Sequence, residues 1–328
     1  MVSIDSIRTP VKSELEEFDA FVRGRFEGGR GVLAEMLEYV LSSRGKGLRP
    51  TMVMLSAALH SPEGRVGRRA YVAALMAEMI HVASLIHDDV IDESDLRRGR
   101  PSVNALWQSR NAVLTGDYIL SRTMDIGMSS GQYDIVSHVI RAMAVLCEGE
   151  IMQGDHARRR DTTRADYLDI IYKKTASLMG ISASSGALAA GAPSAQVDAM
   201  RRFGDAVGMA FQIGDDILDY TASSSETGKP ALNDLREGKI TLPLIEVLER
   251  AGESLRSELL AALPLCASDA SKTEFIRSAV VREGGVERAR EVMKAYLGRA
   301  MSLLAGYDAS PFREALMQLC AYVAERER

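Results

Sequence analysis

Twice in this chain an apolar helical run ends in the same acidic spacing, Asp-Asp-x-x-Asp, and no other feature restricts the fold so tightly. Leu85–Asn104 reads LIHDDVIDESDLRRGRPSVN and carries Asp88, Asp89 and Asp92, with Arg97 and Arg98 close behind. Phe211–Tyr220 reads FQIGDDILDY and carries Asp215, Asp216 and Asp219. Positions i, i+1 and i+4 share one helical face, so each copy crowds three carboxylates into one spot. Aspartate is a weak helix former, and a helix C-terminus disfavours anions. With each charged residue type at about 6% of positions, one such spacing is expected roughly 0.07 times in a chain this long. A solvated acidic surface accounts for one copy, since charge runs are common on surfaces, but it accounts poorly for two. Carboxylate oxygens suit Mg²⁺, whose shell is usually completed by water and substrate phosphate. The neighbouring arginines suit phosphate, because their planar donors grip it in pairs.

The rest of the chain favours helices. Aromatics are 5% of 328 residues, while Ala, Leu, Met and Val abound, so an all-α fold is expected rather than a sheet. No repeat or linker divides the sequence, and residues 1–328 read as one domain. A net charge of −5 gives no basic field for nucleic acid. Cys147, Cys266 and Cys320 form no C-x-x-C pair, which argues against a zinc site and fits a reducing cytoplasm. The N-terminal stretch lacks a signal peptide's apolar region, and no run is expected to span a bilayer.

Taken in order, residues 42–50, SSRGKGLRP, form a glycine-loosened basic turn before a helix expected at Thr51–Leu59. A helix N-terminus beside Lys46 and Arg49 can seat a diphosphate, or can be an ordinary solvated cap. The helix from Tyr71 buries Val72, Leu75, Met76, Met79, Val82 and Ile86 on one face. A second line runs from Asp88 back through Ser84, His81 or Ile80, and Ala77. Nothing aromatic blocks it, so it suits a long apolar chain threading inward; close helix packing is the plainer explanation. Glu148, Glu150, Asp155 and His156 lack metal-ligand spacing and are assigned no metal. Lys173, Lys174 and Thr175 interrupt an apolar helix, either as snorkelling surface groups or as a phosphate contact. Residues 221–243 form a long polar stretch in which Lys229 and Lys239 can close over an anion.

These residues together resemble the trans-isoprenyl diphosphate synthases of the polyprenyl synthetase family. The resemblance covers nearly the whole chain through GKGLRP, HVASLIHDDVIDESDLRRGRPSVN, the KT of IYKKTASL, FQIGDDILDY and TGKPALNDLREGKITLPLI. It implies a helical bundle around a deep cavity, with the two aspartate motifs facing across its mouth. It also implies Mg²⁺ at Asp88, Asp92 and Asp215, supported by Asp89, Asp216 and Asp219. Lys46, Arg49, His81 and Arg98 would hold isopentenyl diphosphate. Arg97, Lys174, Thr175, Gln212 and Lys229 would hold an allylic diphosphate such as farnesyl or geranylgeranyl diphosphate, with Lys239 a further lid lysine. The family's basic signature is matched with Arg44 in place of one glycine.

The resemblance further implies an all-trans polyprenyl product, a homodimer, and a lipid product handed to the membrane. Short-chain members often carry bulky aromatics at the positions of Ala83 and Ser84. Their absence points to a medium or long product, hexaprenyl to decaprenyl with octaprenyl central, of the kind used for quinone side chains. The alternatives are a short-chain farnesyl or geranylgeranyl diphosphate synthase, a non-catalytic subunit of a heteromeric synthase, a terpene cyclase, or a plain helical scaffold. Two intact aspartate motifs argue against the subunit, and DDILD argues against the cyclase.

Overall fold

The computed structural model describes residues 2–27, 29–43, 45–221 and 232–325. Their helices are α1 (Ile4–Arg8), α2 (Lys12–Phe26), α3 (Val32–Ser42), α4 (Leu48–Leu59), α5 (Arg68–Ile91), α6 (Val103–Ser129), α7 (Tyr133–Arg159), α8 (Arg164–Ile171) and α9 (Ser177–Ala189). The second half adds α10 (Ser194–Thr221), α11 (Asn233–Arg236), α12 (Leu242–Leu248), α13 (Glu253–Ala262), α14 (Ala270–Arg282), α15 (Gly285–Leu304) and α16 (Pro311–Glu325). The expected all-α bundle is what forms. Its sheet, among the described residues, is a single two-stranded ribbon.

The bundle is built around α9, which is buried from Ser177 to Ala187 and packs against α4, α5, α7 and α10. Small residues make this possible. A Cβ on Gly186 would lie 2.3 Å from the Val53 carbonyl oxygen of α4. A Cβ on Gly204 of α10 would lie 2.5 Å from the Met179 carbonyl oxygen. The Ala/Ser/Gly-rich stretch therefore lets two backbones approach α9 closely, and van der Waals contact is gained along its length.

Helix α5 is buried on nearly every side, including Ala77, Ile80 and Ala83 as well as the expected core face. It is long and apolar enough to cross a membrane by length and composition, contrary to the sequence expectation that no run would be. Most of that stretch is buried among other helices, so bundle packing accounts for its apolarity. Helix α4 begins at Leu48, earlier than expected, because Gly47 caps it in the left-handed region at φ 53°. Arg49 and Pro50 thus lie in the first turn of α4 rather than in the loop before it.

Candidate active site

The two aspartate helices converge. A cavity of about 690 Å³ is lined by Asp88 of α5, by Asp92 at its C-cap and by Asp215 of α10. The same wall holds Lys46, Arg49, His81, Ser84, Arg97, Arg98, Lys174, Thr175, Gln212 and Lys239. Leu85, Leu146 and Phe211 add apolar surface. Residues more than two hundred positions apart are thereby brought to one space. Lys229 lies outside the described residues. Ala77, Ile80 and Ala83 are packed into the interior and do not line this cavity.

The other aspartates orient the wall. Asp89 is buried and accepts from Arg97 Nε at 2.8 Å and from Arg97 Nη2. Asp216 is buried and accepts from Tyr167 Oη at 2.6 Å and from Gln212 Nε2 at 2.9 Å. Gln212 in turn accepts from Thr175 Oγ1 at 2.8 Å, so one hydrogen-bond chain fixes two cavity side chains. Asp219 accepts from the backbone N–H of Asn233 at 3.1 Å and of Asp234 at 3.3 Å. It anchors α11 and hence the approach to Lys239. Burial, with Asp234 close by, pushes Asp219 up to about 6 and holds Asp216 well above the usual carboxylate range.

Arg97 and Arg98 are presented by the ribbon, β1 (Leu96–Arg97) against β2 (Arg100–Pro101). Its two turn residues, Arg98 and Gly99, have φ of 54° and 74°. Positive φ at both positions is the two-residue turn whose twist suits a hairpin. Strands this short give no alternating pattern, so sequence reading missed the ribbon. A Cβ on Gly45 would lie 2.4 Å from the Arg98 guanidinium, so the glycine leaves room for it.

A π-helical turn at Tyr172–Ala176 carries both lysines. Such turns recur at functional sites. Lys173 bonds Glu148 at 2.7 Å and Asp169 at 2.8 Å, whereas Lys174 enters the cavity and meets Glu150 at 2.6 Å. The pair therefore divides: Lys173 is held in ion pairs away from the cavity lining, and Lys174 is part of that lining. Glu150 also lines the cavity, which sequence reading missed: weighed only as a metal ligand with Glu148, Asp155 and His156, an acid without ligand spacing carries no further signal. Glu78, Phe211, Leu146 and Tyr322 were likewise missed.

The charges fit a divalent cation and anionic ligands. Burial, then Glu150 and Asp92, push Asp88 up to about 6, against the pull of Lys174 and Arg97. A cation among these hard oxygen donors would relieve that crowding. Arg49 Nε is buried with no hydrogen-bond partner, and burial lowers the Arg49 pKa to about 10 even beside Glu78. An incoming phosphate oxygen would satisfy it. His81 is held well below the usual histidine range by burial and then by Arg49, Arg98 and Arg97, so it stands neutral in the wall. Burial works against the charge on Lys239, but Asp234 and Glu237 outweigh it and raise its pKa. No group of three or more His, Cys, Asp or Glu placed to hold a metal by itself occurs among the described residues.

Residues 30–280 match the family model described as polyprenyl synthetase. The chain is 37% identical to heptaprenyl diphosphate synthase component 2 of Geobacillus stearothermophilus, over 95% of this chain and 94% of that one. Its fold is similar to that of a decaprenyl diphosphate synthase from Rhodobacter capsulatus, with a TM-score of 0.92, 33% identity, and coverage of 99% of this chain and 100% of that one. It is also similar to a polyprenyl synthase from Caulobacter crescentus solved with calcium and isoprenyl diphosphate, with a TM-score of 0.91, 29% identity, and coverage of 99% and 98%.

Proposed function

Because this chain belongs to the polyprenyl synthetase family, we propose that it condenses isopentenyl diphosphate with an allylic diphosphate to make an all-trans polyprenyl diphosphate of medium or long chain. One observation carries the reading: both aspartate helices and two sets of basic groups line a single cavity. The calcium and isoprenyl diphosphate held by the Caulobacter enzyme support it.

In this reading Lys174, Thr175, Gln212 and Arg97 bind the allylic diphosphate, with Lys239 over it. Lys46, Arg49, Arg98 and neutral His81 bind isopentenyl diphosphate. Bound at Asp88, Asp92 and Asp215, Mg²⁺ would neutralise the charge that builds on the departing pyrophosphate. The allylic C–O bond breaks and leaves a carbocation, which the isopentenyl double bond attacks. The pyrophosphate released in the first step then takes a proton from the new cation, which restores a double bond. Leu85, Leu146 and Phe211 keep water from the cation. The basic groups hold the two substrates close enough to react. Pairing of two copies, expected from the resemblance, would cover the exposed Leu106, Val113 and Leu114 of α6 and Ile140 of α7.

The test is incubation with labelled isopentenyl diphosphate and allylic primers of several lengths, with chromatography of the dephosphorylated products. A ladder of linear polyprenols is expected. No incorporation with any primer would favour the non-catalytic subunit, and cyclic hydrocarbons would favour a cyclase.

Product length gives a second test. Ser84 lines the cavity, whereas Ala83 is fully buried away from it. Ser84→Phe is expected to shorten the main product by at least one isoprene unit in a folded enzyme. Ala83→Phe should instead overpack the interior and destabilise by about 1–3 kcal/mol. Product chromatography and thermal melts separate the two, and an unchanged product with Ser84→Phe would put the floor elsewhere.

A further inference from the structure

The basic turn at Gly45–Arg49 is braced from both ends of the chain. From α1, Arg8 Nη2 donates to the Lys46 carbonyl oxygen, and Arg8 Nε donates to Thr51 Oγ1 at 3.4 Å. From α16, Tyr322 enters the cavity wall, and its hydroxyl oxygen accepts from Lys46 Nζ at 2.6 Å. The same ammonium lies 5.4 Å from the Tyr322 ring centroid, within the range of a cation–π contact. The two terminal helices pack on each other, and the backbone N–H of Val2 donates to Glu325 Oε2 at 2.8 Å.

We propose that Tyr322 is a positioning residue that holds the Lys46 ammonium toward the diphosphate of isopentenyl diphosphate. The physical need is plain. Lys46 is exposed, and a lysine carries its charge on a flexible four-carbon stem with about 2 kcal/mol of rotamer entropy. Arg8 fixes only its backbone. The Tyr322 hydroxyl and ring are the contacts that select one direction for its side chain. Ordering the ammonium before the substrate arrives moves that entropy cost out of the binding step. The C-terminal helix thereby tunes one substrate's binding without touching the aspartates. The role at isopentenyl diphosphate rests on the function proposed above.

The experiment uses Tyr322→Phe, which keeps the ring and the fold and removes one hydroxyl. Two readouts are taken on the full chain. The first is the rate at which an amine-reactive ester labels Lys46, followed by peptide mass spectrometry. Faster labelling in Tyr322→Phe is expected, and an unchanged rate overturns the inference. The second is steady-state kinetics. The KM for isopentenyl diphosphate should rise roughly fivefold, the scale of one hydrogen bond, with the allylic KM and kcat nearly unchanged. In a Lys46→Met background the same tyrosine substitution should add nothing, because the partner is already gone. Independent effects in the double variant, or equal rises in both KM values, would contradict positioning through Lys46. A chain that labels as expected yet shows no prenyl transfer would keep Tyr322 as the lysine's anchor and refute the assigned substrate instead.

Discussion

Asp88→Asn is expected to lower turnover by roughly a hundred- to a thousand-fold, the range for removing one preorganised group that stabilises transition-state charge. The helix should survive, because the substitution is nearly isosteric and burial already disfavours the ionised form of Asp88, raised to about 6. Asp215→Asn should behave in the same way from the opposite wall. If both carboxylates hold one shared cluster, the double variant should lose little more than either single one, since residues acting as a unit are grossly non-additive. Single-turnover rates with saturating substrates, together with far-UV circular dichroism, check this. Additive losses would mean that the two helices act separately.

Glu246→Ala is expected to cost about 3 kcal/mol of stability, the low end for breaking a buried ion pair. Glu246 is 1% exposed on α12 and accepts from Arg164 at 2.5 Å and also from Arg250, with Arg288 Nε at 3.5 Å. It therefore ties α8 to α12 and α15. Removing the carboxylate leaves three guanidinium groups with only the more distant Glu249, 3.6 Å from Arg164 and 4.0 Å from Arg250, to offset them. They are 27–52% exposed, so water can rescue part of the loss, which sets the low estimate. Glu246→Gln, which keeps the shape and loses the charge, should cost less. Denaturant melts check both, and an unchanged midpoint for Glu246→Ala would show that the cluster is solvated in effect. None of these groups lines the cavity around the aspartates, so substrate KM values should stay near those of the parent.

The two aspartate helices were legible because their signal is local: a repeated spacing on one helical face, at the end of an apolar run. Lys46, Arg49, Arg97 and Arg98 were legible for the same reason, as cations beside glycines or aspartates. What was hidden depends on tertiary placement. Glu150 looks like any surface acid until α7 is laid against the π-helical turn, where it meets Lys174. Tyr322 sits 276 positions from Lys46, and no short pattern joins them. The division of labour among the aspartates was also out of reach. Spacing puts Asp88, Asp89 and Asp92 together, but only the Arg97 ribbon shows that Asp89 faces a protein partner. The inward line along α5 divides in the structure. His81 and Ser84 reach the cavity, while Ala77 and Ile80 are covered by neighbouring helices that periodicity does not reveal.

The central claim is that two aspartate helices share Mg²⁺ around one diphosphate, and binding of inorganic pyrophosphate by calorimetry tests it without any chemistry. Pyrophosphate should bind the parent in the presence of Mg²⁺, lose that binding in a chelator, and lose most of it in Asp88→Asn and in Asp215→Asn alike. Full Mg²⁺-dependent affinity in either variant would contradict the shared site.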